Sequence, residues 1–161
     1  MVKIITGKIN SGKTTMLLKQ YRKNYTGDGF VAIKKIQDQE VYGYIILRLS
    51  DNKTYPWMIR QNHYHQEFSN AGTFGPFYIN LDIVPLLERV VDELIKQQAS
   101  PIYLDEVGVL EMNGGGYHNA LKKVLSSKLD LVLAIREDLV EPVTSHFGIN
   151  DYELIKVQRE E

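Results

Sequence analysis

The chain has 161 residues, which is long enough for one domain with a substantial hydrophobic core. Its net charge of −1 argues against a broad nucleic-acid footprint, and the absence of cysteine excludes disulfides, thiolate catalysis and a cysteine zinc site. No apolar run approaches the length of a membrane span. We therefore expect one domain over residues 1–161, located in the cytosol and without membrane contact.

The first stretch of the chain contains a phosphate-binding motif between a strand and a helix. Residues 2–6 are apolar and β-branched, which predicts a buried strand, and residues 14–23 carry apolar side chains at helical spacing. Between them, residues 7–14 read Gly-Lys-Ile-Asn-Ser-Gly-Lys-Thr and match the pattern G-x-x-x-x-G-K-[S/T]. The two glycines permit a tight turn that points amide groups inward, and a helix start carries partial positive charge.

This motif predicts a nucleotide site. Lys13 is expected to reach the β- and γ-phosphates, and the Thr14 hydroxyl is expected to ligate Mg²⁺. The predicted nucleotide-binding residues are Gly7, Lys8, Ile9, Asn10, Ser11, Gly12, Lys13, Thr14 and Thr15.

A β-rich insertion is predicted after the first helix. Residues 30–36 and 42–49 have strand character and a short polar connection, which predicts an antiparallel hairpin. Residues 54–59 are expected to add a third strand, which Pro56 would place at a sheet edge. The polar residues 60–75 are interpreted as a loop, and residues 77–79 as a short strand.

In the remainder of the chain, predicted helices alternate with predicted strands. Helices are predicted over residues 80–98, 117–127 and 138–147, and strands over 101–106, 129–135 and 152–157. The pattern indicates an α/β fold: a three-layer P-loop sandwich with a mainly parallel sheet and an antiparallel hairpin insertion after the first helix.

The predicted strand at residues 101–106 ends in two acids. That strand would deliver Asp105 to the sheet edge where ligands bind, and in P-loop proteins a carboxylate in this place holds Mg²⁺ directly or through water. Alternation along the strand aims Glu106 differently, towards a role in orienting or deprotonating an attacking water. A carboxylate that holds Mg²⁺ next to a carboxylate that acts on water indicates the active site of a hydrolase.

One arginine is a further catalytic candidate. Arg136 follows the predicted strand at residues 129–135, so it could reach the same edge and stabilise charge on the phosphoryl group. A surface arginine paired with Glu137 or Asp138 is an equally good interpretation.

The run at residues 104–112, Leu-Asp-Glu-Val-Gly-Val-Leu-Glu-Met, resembles the acidic motif of the small P-loop nucleoside-triphosphatases of the cancer-related type. The Thr-Thr pair at the end of the phosphate motif, the hairpin and the Gly-Pro-Phe-Tyr segment at residues 75–78 also resemble that family. The resemblance covers nearly the whole chain. It implies Mg²⁺-dependent hydrolysis of nucleoside triphosphates to diphosphate and phosphate, with broad base preference. By the same resemblance, Lys13 and Thr14 match phosphate and metal binding, Asp105 the metal, and Glu106 the catalytic position.

The chain departs from that family pattern in two places. Ala-Ile-Lys-Lys at residues 32–35 stands where the family usually carries a Thr-x-Glu and an arginine. After the last predicted strand, Gln158-Arg159 is the only counterpart of an Asn-Arg pair.

Two alternatives to hydrolysis remain open. A phosphotransferase would pass the phosphoryl group to a nucleotide or other small acceptor, but such enzymes usually gather several arginines, and the six arginines here form no cluster. A nucleotide-dependent binding module would order the glycine loop at residues 114–116, and a protein partner would recognise that state.

Overall fold

A computed structural model of the chain describes residues 1–158. The strands in this part of the chain are β1 (Val2–Gly7), β2 (Asp28–Gln37), β3 (Glu40–Arg48), β4 (Thr54–Arg60), β5 (Ala71–Phe74), β6 (Phe77–Asn80), β7 (Ile102–Leu104), β8 (Leu131–Arg136) and β9 (Glu153–Lys156). The helices in it are α1 (Lys13–Asn24), α2 (Ile83–Lys96), α3 (Val109–Met112), α4 (His118–Ser127) and α5 (Val140–Phe147). Arg159, part of the pair compared with the family, lies outside the described residues.

The strands form one sheet, in the order β5-β6-β4-β3-β2-β7-β8-β1-β9. Neighbours from β2 to β9 in that order are parallel, so the carboxyl ends of these strands meet at one edge. In the register of β1 and β8, Gly7 lies opposite Arg136. The segment after Leu104 reaches the same edge, because β7 lies between β2 and β8. This edge therefore gathers the three predicted parts of the site.

Helices cover both faces of the parallel strands. Ile4 and Ile5 are neighbours on β1, and each is fully buried on its own face of the sheet. Ile5 packs in the cluster that contains Leu17 and Tyr21 of α1. Ile4 belongs to the other cluster, to which α2, α4 and α5 contribute side chains such as Leu87. The predicted three-layer α/β sandwich is confirmed.

The antiparallel part of the sheet is larger than a hairpin. The β2–β3 hairpin is confirmed, but β4, β6 and β5 extend it. The interpretation of residues 60–75 as a loop is wrong, because β5 pairs with β6. The side chains of β5 are exposed or half-buried, so the apolar alternation that identifies a strand is weak there.

The prediction that Pro56 places its strand at an edge is also wrong. β4 lies between β3 and β6. The pairing of β4 with β3 shifts at this point: Tyr44 lies opposite Met58, whereas Ile45 lies opposite Pro56. Such a bulge interrupts the ladder of hydrogen bonds, which accommodates a residue without an N–H group. Within residues 1–158, no helix combines the length and the apolar character needed to cross a bilayer.

Candidate functional site

The phosphate motif forms a tight loop between β1 and α1. Asn10 and Gly12 have φ angles of 59° and 96°, in the left-handed region. A Cβ atom on Gly7 would lie 2.4 Å from Ser11 Oγ and 2.8 Å from the carbonyl oxygen of Val157, so only glycine fits there. The loop ends where the twelve-residue helix α1 begins, and the first N–H groups of a helix have no partner within it. The arrangement provides the backbone of an anion site.

Two lysines flank this loop. Lys13 is buried, and its Nζ donates a hydrogen bond of 2.8 Å to the carbonyl oxygen of Lys8. Burial lowers the pKa of Lys13, and the carboxylates of Glu106 and Asp105 oppose that shift. Lys34 lies on β2, and its Nζ donates to Asn10 Oδ1. Positive charge therefore reaches the loop from α1 and from β2.

Asp105 lies against the start of α1. Thr14 Oγ1 donates a hydrogen bond of 2.6 Å to Asp105 Oδ2, and the Ala32 N–H donates to the same oxygen at 3.1 Å. Asp105 is only 1% exposed; this burial, and then the negative charge of Glu106, raises the pKa of its carboxyl to about 7. The hydroxyl and the carboxylate are hard oxygen donors placed next to each other, which fits Mg²⁺.

Glu106 has a different environment from Asp105. Its side chain is exposed, and its backbone is left-handed with a φ of 57°. The strand β7 ends at Leu104, so Glu106 lies in a turn of the backbone and not in the strand. The predicted alternation along a strand therefore does not set the direction of the Glu106 side chain. Glu106 lines the cavity at the phosphate loop together with Lys13 and Lys34.

Arg136 lies at the predicted edge and already has a partner. Its Nε and Nη2 atoms donate to the two carboxylate oxygens of Asp138 at 2.5 and 2.9 Å. Glu137, the other partner considered, instead lies 3.8 Å from Lys156. The guanidinium is half-exposed and lines a cavity together with Lys13 and Glu106. The structure thus brings Arg136 to the site and also shows its surface pairing.

Sequence reasoning missed Lys34 and the structural role of Glu111. Lys34 is where the family pattern differs, and only the neighbouring position of β2 and β7 brings it to the phosphate loop. Glu111 belongs to the run at residues 104–112 that resembles the family motif. It is 2% exposed, and it accepts hydrogen bonds from the N–H groups of Gly108 at 2.8 Å and Tyr117 at 3.1 Å. It thereby ties together the segment that follows Glu106.

Comparison with known proteins decides the family. The sequence profile of the family described as NTPase matches residues 3–161. This chain belongs to the NTPase family. The nucleoside-triphosphatase THEP1 of Hyperthermus butylicus is 30% identical over 145 residues, covering 86% of this chain and 73% of that protein. The nucleoside-triphosphatase THEP1 of Thermotoga sp. (strain RQ2) is 24% identical over 160 residues, covering 97% and 87%.

Solved structures show the fold of the NTPase family. The crystal structure of THEP1 from Aquifex aeolicus matches with a TM-score of 0.67 and 20% identity, covering 98% of this chain and 90% of that one. The solution structure of a human cancer-related nucleoside triphosphatase matches with a TM-score of 0.65 and 18% identity, covering 98% and 89%. The predicted family is confirmed, as is the prediction of an enzyme of the nucleoside-triphosphatase class.

Proposed function

We propose that this protein hydrolyses nucleoside 5′-triphosphates, ATP and GTP among them, to nucleoside diphosphate and phosphate with Mg²⁺ as cofactor. The contact of 2.6 Å between Thr14 and Asp105 carries the proposal. It supports the proposal because two oxygen groups that suit Mg²⁺ lie together at the start of α1, where the phosphate loop ends. Membership of the NTPase family supports the reaction class.

The phosphate loop binds the triphosphate. Its backbone N–H groups and those of the first turn of α1 donate to phosphate oxygens, and Lys13 adds a positive charge at the β- and γ-phosphates. Lys34 adds a second positive charge from β2. Contacts of this kind recognise phosphate and not the base, which fits a broad range of nucleoside triphosphates.

Asp105 and Thr14 would hold the metal, and Glu106 acts on water. When bound, Mg²⁺ neutralises part of the charge on the phosphates. Glu106 accepts a hydrogen bond from the attacking water, orients it and takes its proton as the water oxygen bonds to the γ-phosphorus. The bond between that phosphorus and the β,γ-bridging oxygen breaks, and its electron pair leaves on the nucleoside diphosphate. The carboxylate of Glu106 suits this role because it is exposed and lines the cavity together with Lys13, whereas the proposed metal ligand Asp105 is buried.

Arg136 stabilises the transferring phosphoryl group in this proposal. It leaves Asp138, its partner on the exposed side, and donates to the γ-phosphoryl oxygens as negative charge spreads over them. The other expectations from the sequence, namely a cytosolic location, one domain over residues 1–161 and a protein partner, remain predictions.

The Glu106→Gln variant tests the proposal. The amide keeps the shape of the side chain but cannot take the proton, so we expect Mg²⁺-nucleotide binding to persist while phosphate release falls by about 10²- to 10⁴-fold. Phosphate release and nucleotide titration are measured with each common nucleoside triphosphate. Glu93→Gln, at a largely exposed position on α2, is the matched control and should behave as the wild type.

Two outcomes would overturn the proposal. Unchanged turnover in Glu106→Gln would show that Glu106 is not the base. Tight nucleotide binding by the wild type with negligible phosphate release, with or without acceptors, would favour the nucleotide-dependent binding module instead.

A further inference from the structure

A second cavity adjoins the phosphate loop on the side of Glu106. It has a volume of about 330 Å³, and the phosphate cavity has about 630 Å³. The antiparallel strands β3, β4, β5 and β6 provide its outer wall, which consists of aromatic and aliphatic side chains. The side chains of this wall include Tyr44, Ile46, Trp57, Met58, Phe74 and Phe77.

The outer wall is preorganised by contacts among its own members and with their neighbours. The rings of Tyr44 and Phe77 meet edge to face, with centroids 5.7 Å apart. The guanidinium of Arg60 lies 5.1 Å from the centroid of the Phe77 ring, and its Nε pairs with Glu40 at 3.1 Å. Trp57 is only 7% exposed. Rings held in this way form a surface that suits a planar aromatic ligand.

The two cavities meet at the reacting end of the nucleotide site. Lys13, Lys34 and Glu106 line both of them. A molecule in the apolar cavity would therefore reach the same carboxylate as the attacking water, while a nucleotide occupies the phosphate cavity. Of the cationic side chains that line the apolar cavity, Lys13 and Lys34 lie at this junction, and Arg136 ends β8. None of them belongs to the outer wall, which is apolar.

We propose that the apolar cavity is an acceptor site that binds an uncharged aromatic alcohol and presents its hydroxyl group to Glu106. This inference rests on the proposed nucleotide site. The apolar outer wall favours an uncharged acceptor, since an anionic one would leave its charge without a partner there. A nucleotide acceptor carries phosphate groups that several arginines would bind, and the chain has few arginines. An uncharged alcohol does not need them.

The step is a phosphoryl transfer in which the alcohol replaces water. The hydroxyl oxygen forms a bond to the γ-phosphorus, and the bond between that phosphorus and the β,γ-bridging oxygen breaks. The bond's electron pair leaves on the nucleoside diphosphate, and the hydroxyl proton passes to the Glu106 carboxylate. The products are a phosphate monoester and the nucleoside diphosphate.

Trp57 allows a direct binding test, because it is the only tryptophan of the chain and lies in the cavity wall. The probe is 4-nitrobenzyl alcohol, whose nitroaromatic ring quenches tryptophan fluorescence, with the anion 4-nitrobenzoate as the charged control. We expect saturable quenching by the alcohol with ATP and Mg²⁺ present. We expect at least tenfold weaker binding of the benzoate, because its carboxylate would lie beside the carboxylate of Glu106 and the γ-phosphate of the nucleotide. Phe74→Ala should weaken the alcohol at least tenfold, whereas Phe147→Ala, on α5, should not.

Transfer is tested in the same samples by measuring the phosphate ester and free phosphate. We expect wild-type protein to form an ester of 4-nitrobenzyl alcohol, benzyl alcohol or 2-naphthylmethanol, and Glu106→Gln to lose it. Competition between alcohol and ATP would overturn the proposal by assigning the cavity to the nucleotide. Quenching by the alcohol that does not saturate would also overturn it, and so would binding of the alcohol without formation of any phosphate ester. Phosphate release without alcohol reports on the proposed hydrolysis separately, so failure of one proposal is distinguishable from failure of the other.

Discussion

The Thr14 hydroxyl donates a hydrogen bond of 2.6 Å to Asp105, a residue 91 positions further along the chain. Thr14 lies in the first turn of α1 and Asp105 follows β7, so the contact joins the two halves of the site. Both oxygens are donors that suit Mg²⁺, and the contact keeps them together at the phosphate loop. The proposed Mg²⁺ dependence of phosphate release should therefore be sensitive to this pair.

Replacing Thr14 separates the role of its hydroxyl from that of its shape. Thr14→Val removes the donor and leaves the buried Asp105 carboxylate without one hydrogen bond, whereas Thr14→Ser retains the hydroxyl. We expect Thr14→Val to need on the order of 10- to 100-fold more Mg²⁺ for half-maximal phosphate release, and Thr14→Ser to remain near the wild type. Mg²⁺ titrations of the three proteins measure this. Equal requirements in all three would remove Thr14 from the metal site.

Lys13 is predicted to dominate nucleotide affinity. Its buried ammonium group lies at the phosphate loop, where it donates to the Lys8 carbonyl oxygen. Losing one partner of a buried charge pair costs about 2–5 kcal/mol, so Lys13→Ala should weaken nucleotide binding by about 30-fold or more. Lys23→Ala, at an exposed position in the last turn of α1, is the control. Calorimetric titration with ATP measures the affinity of each protein. Wild-type affinity in Lys13→Ala would refute the role of Lys13 in phosphate binding.

The local parts of the site could be predicted from the sequence. The phosphate loop is specified by its glycines and by the elements on each side, and the strand before Asp105 by three consecutive buried residues, Ile102–Leu104. Such features depend on neighbours in the chain, where periodicity and turn chemistry give a strong signal.

The remaining features depend on which strands are neighbours in the sheet. Lys34 reaches the phosphate loop only because β2 lies beside β7. The interior position of Pro56 requires a bulge against β3, and β5 is too short and too exposed to show a clear pattern. The apolar cavity is built by these same antiparallel strands, so no local pattern in the sequence predicts it.

Arg136 is predicted to act on the transition state, and its pairing with Asp138 makes the test specific. Arg136→Ala should lower kcat by about 10²-fold, because a charge-stabilising donor is lost, with little change in nucleotide affinity. Asp138→Asn weakens the bidentate pair and should leave kcat at or above the wild-type value. Steady-state kinetics with ATP measures both. If kcat is unchanged in Arg136→Ala, the arginine serves only its surface pair.

Glu111 should make stability depend on pH. Burial raises its pKa from an ordinary value of 4.5 to about 7, although the N–H groups of Gly108 and Tyr117 oppose the shift. Between these values the folded protein binds this proton more readily than the unfolded chain, so the contribution of Glu111 to stability is lost as pH rises through about 7. Compared with Glu111→Gln, the wild type should lose on the order of 3 kcal/mol of unfolding free energy between about pH 4.5 and pH 8.

Denaturant unfolding of both proteins across that pH range measures the difference. Asp105 is present in both proteins, so its own titration cancels to first order in the comparison. Glu93→Gln, at an exposed position, controls for the loss of one carboxylate and should give a curve parallel to the wild type. Parallel curves for Glu111→Gln and the wild type would contradict the raised pKa. If the wild type loses unfolding free energy relative to Glu111→Gln as pH rises, the raised pKa of Glu111 is supported. The buried segment after Glu106 then favours the neutral form of the carboxyl.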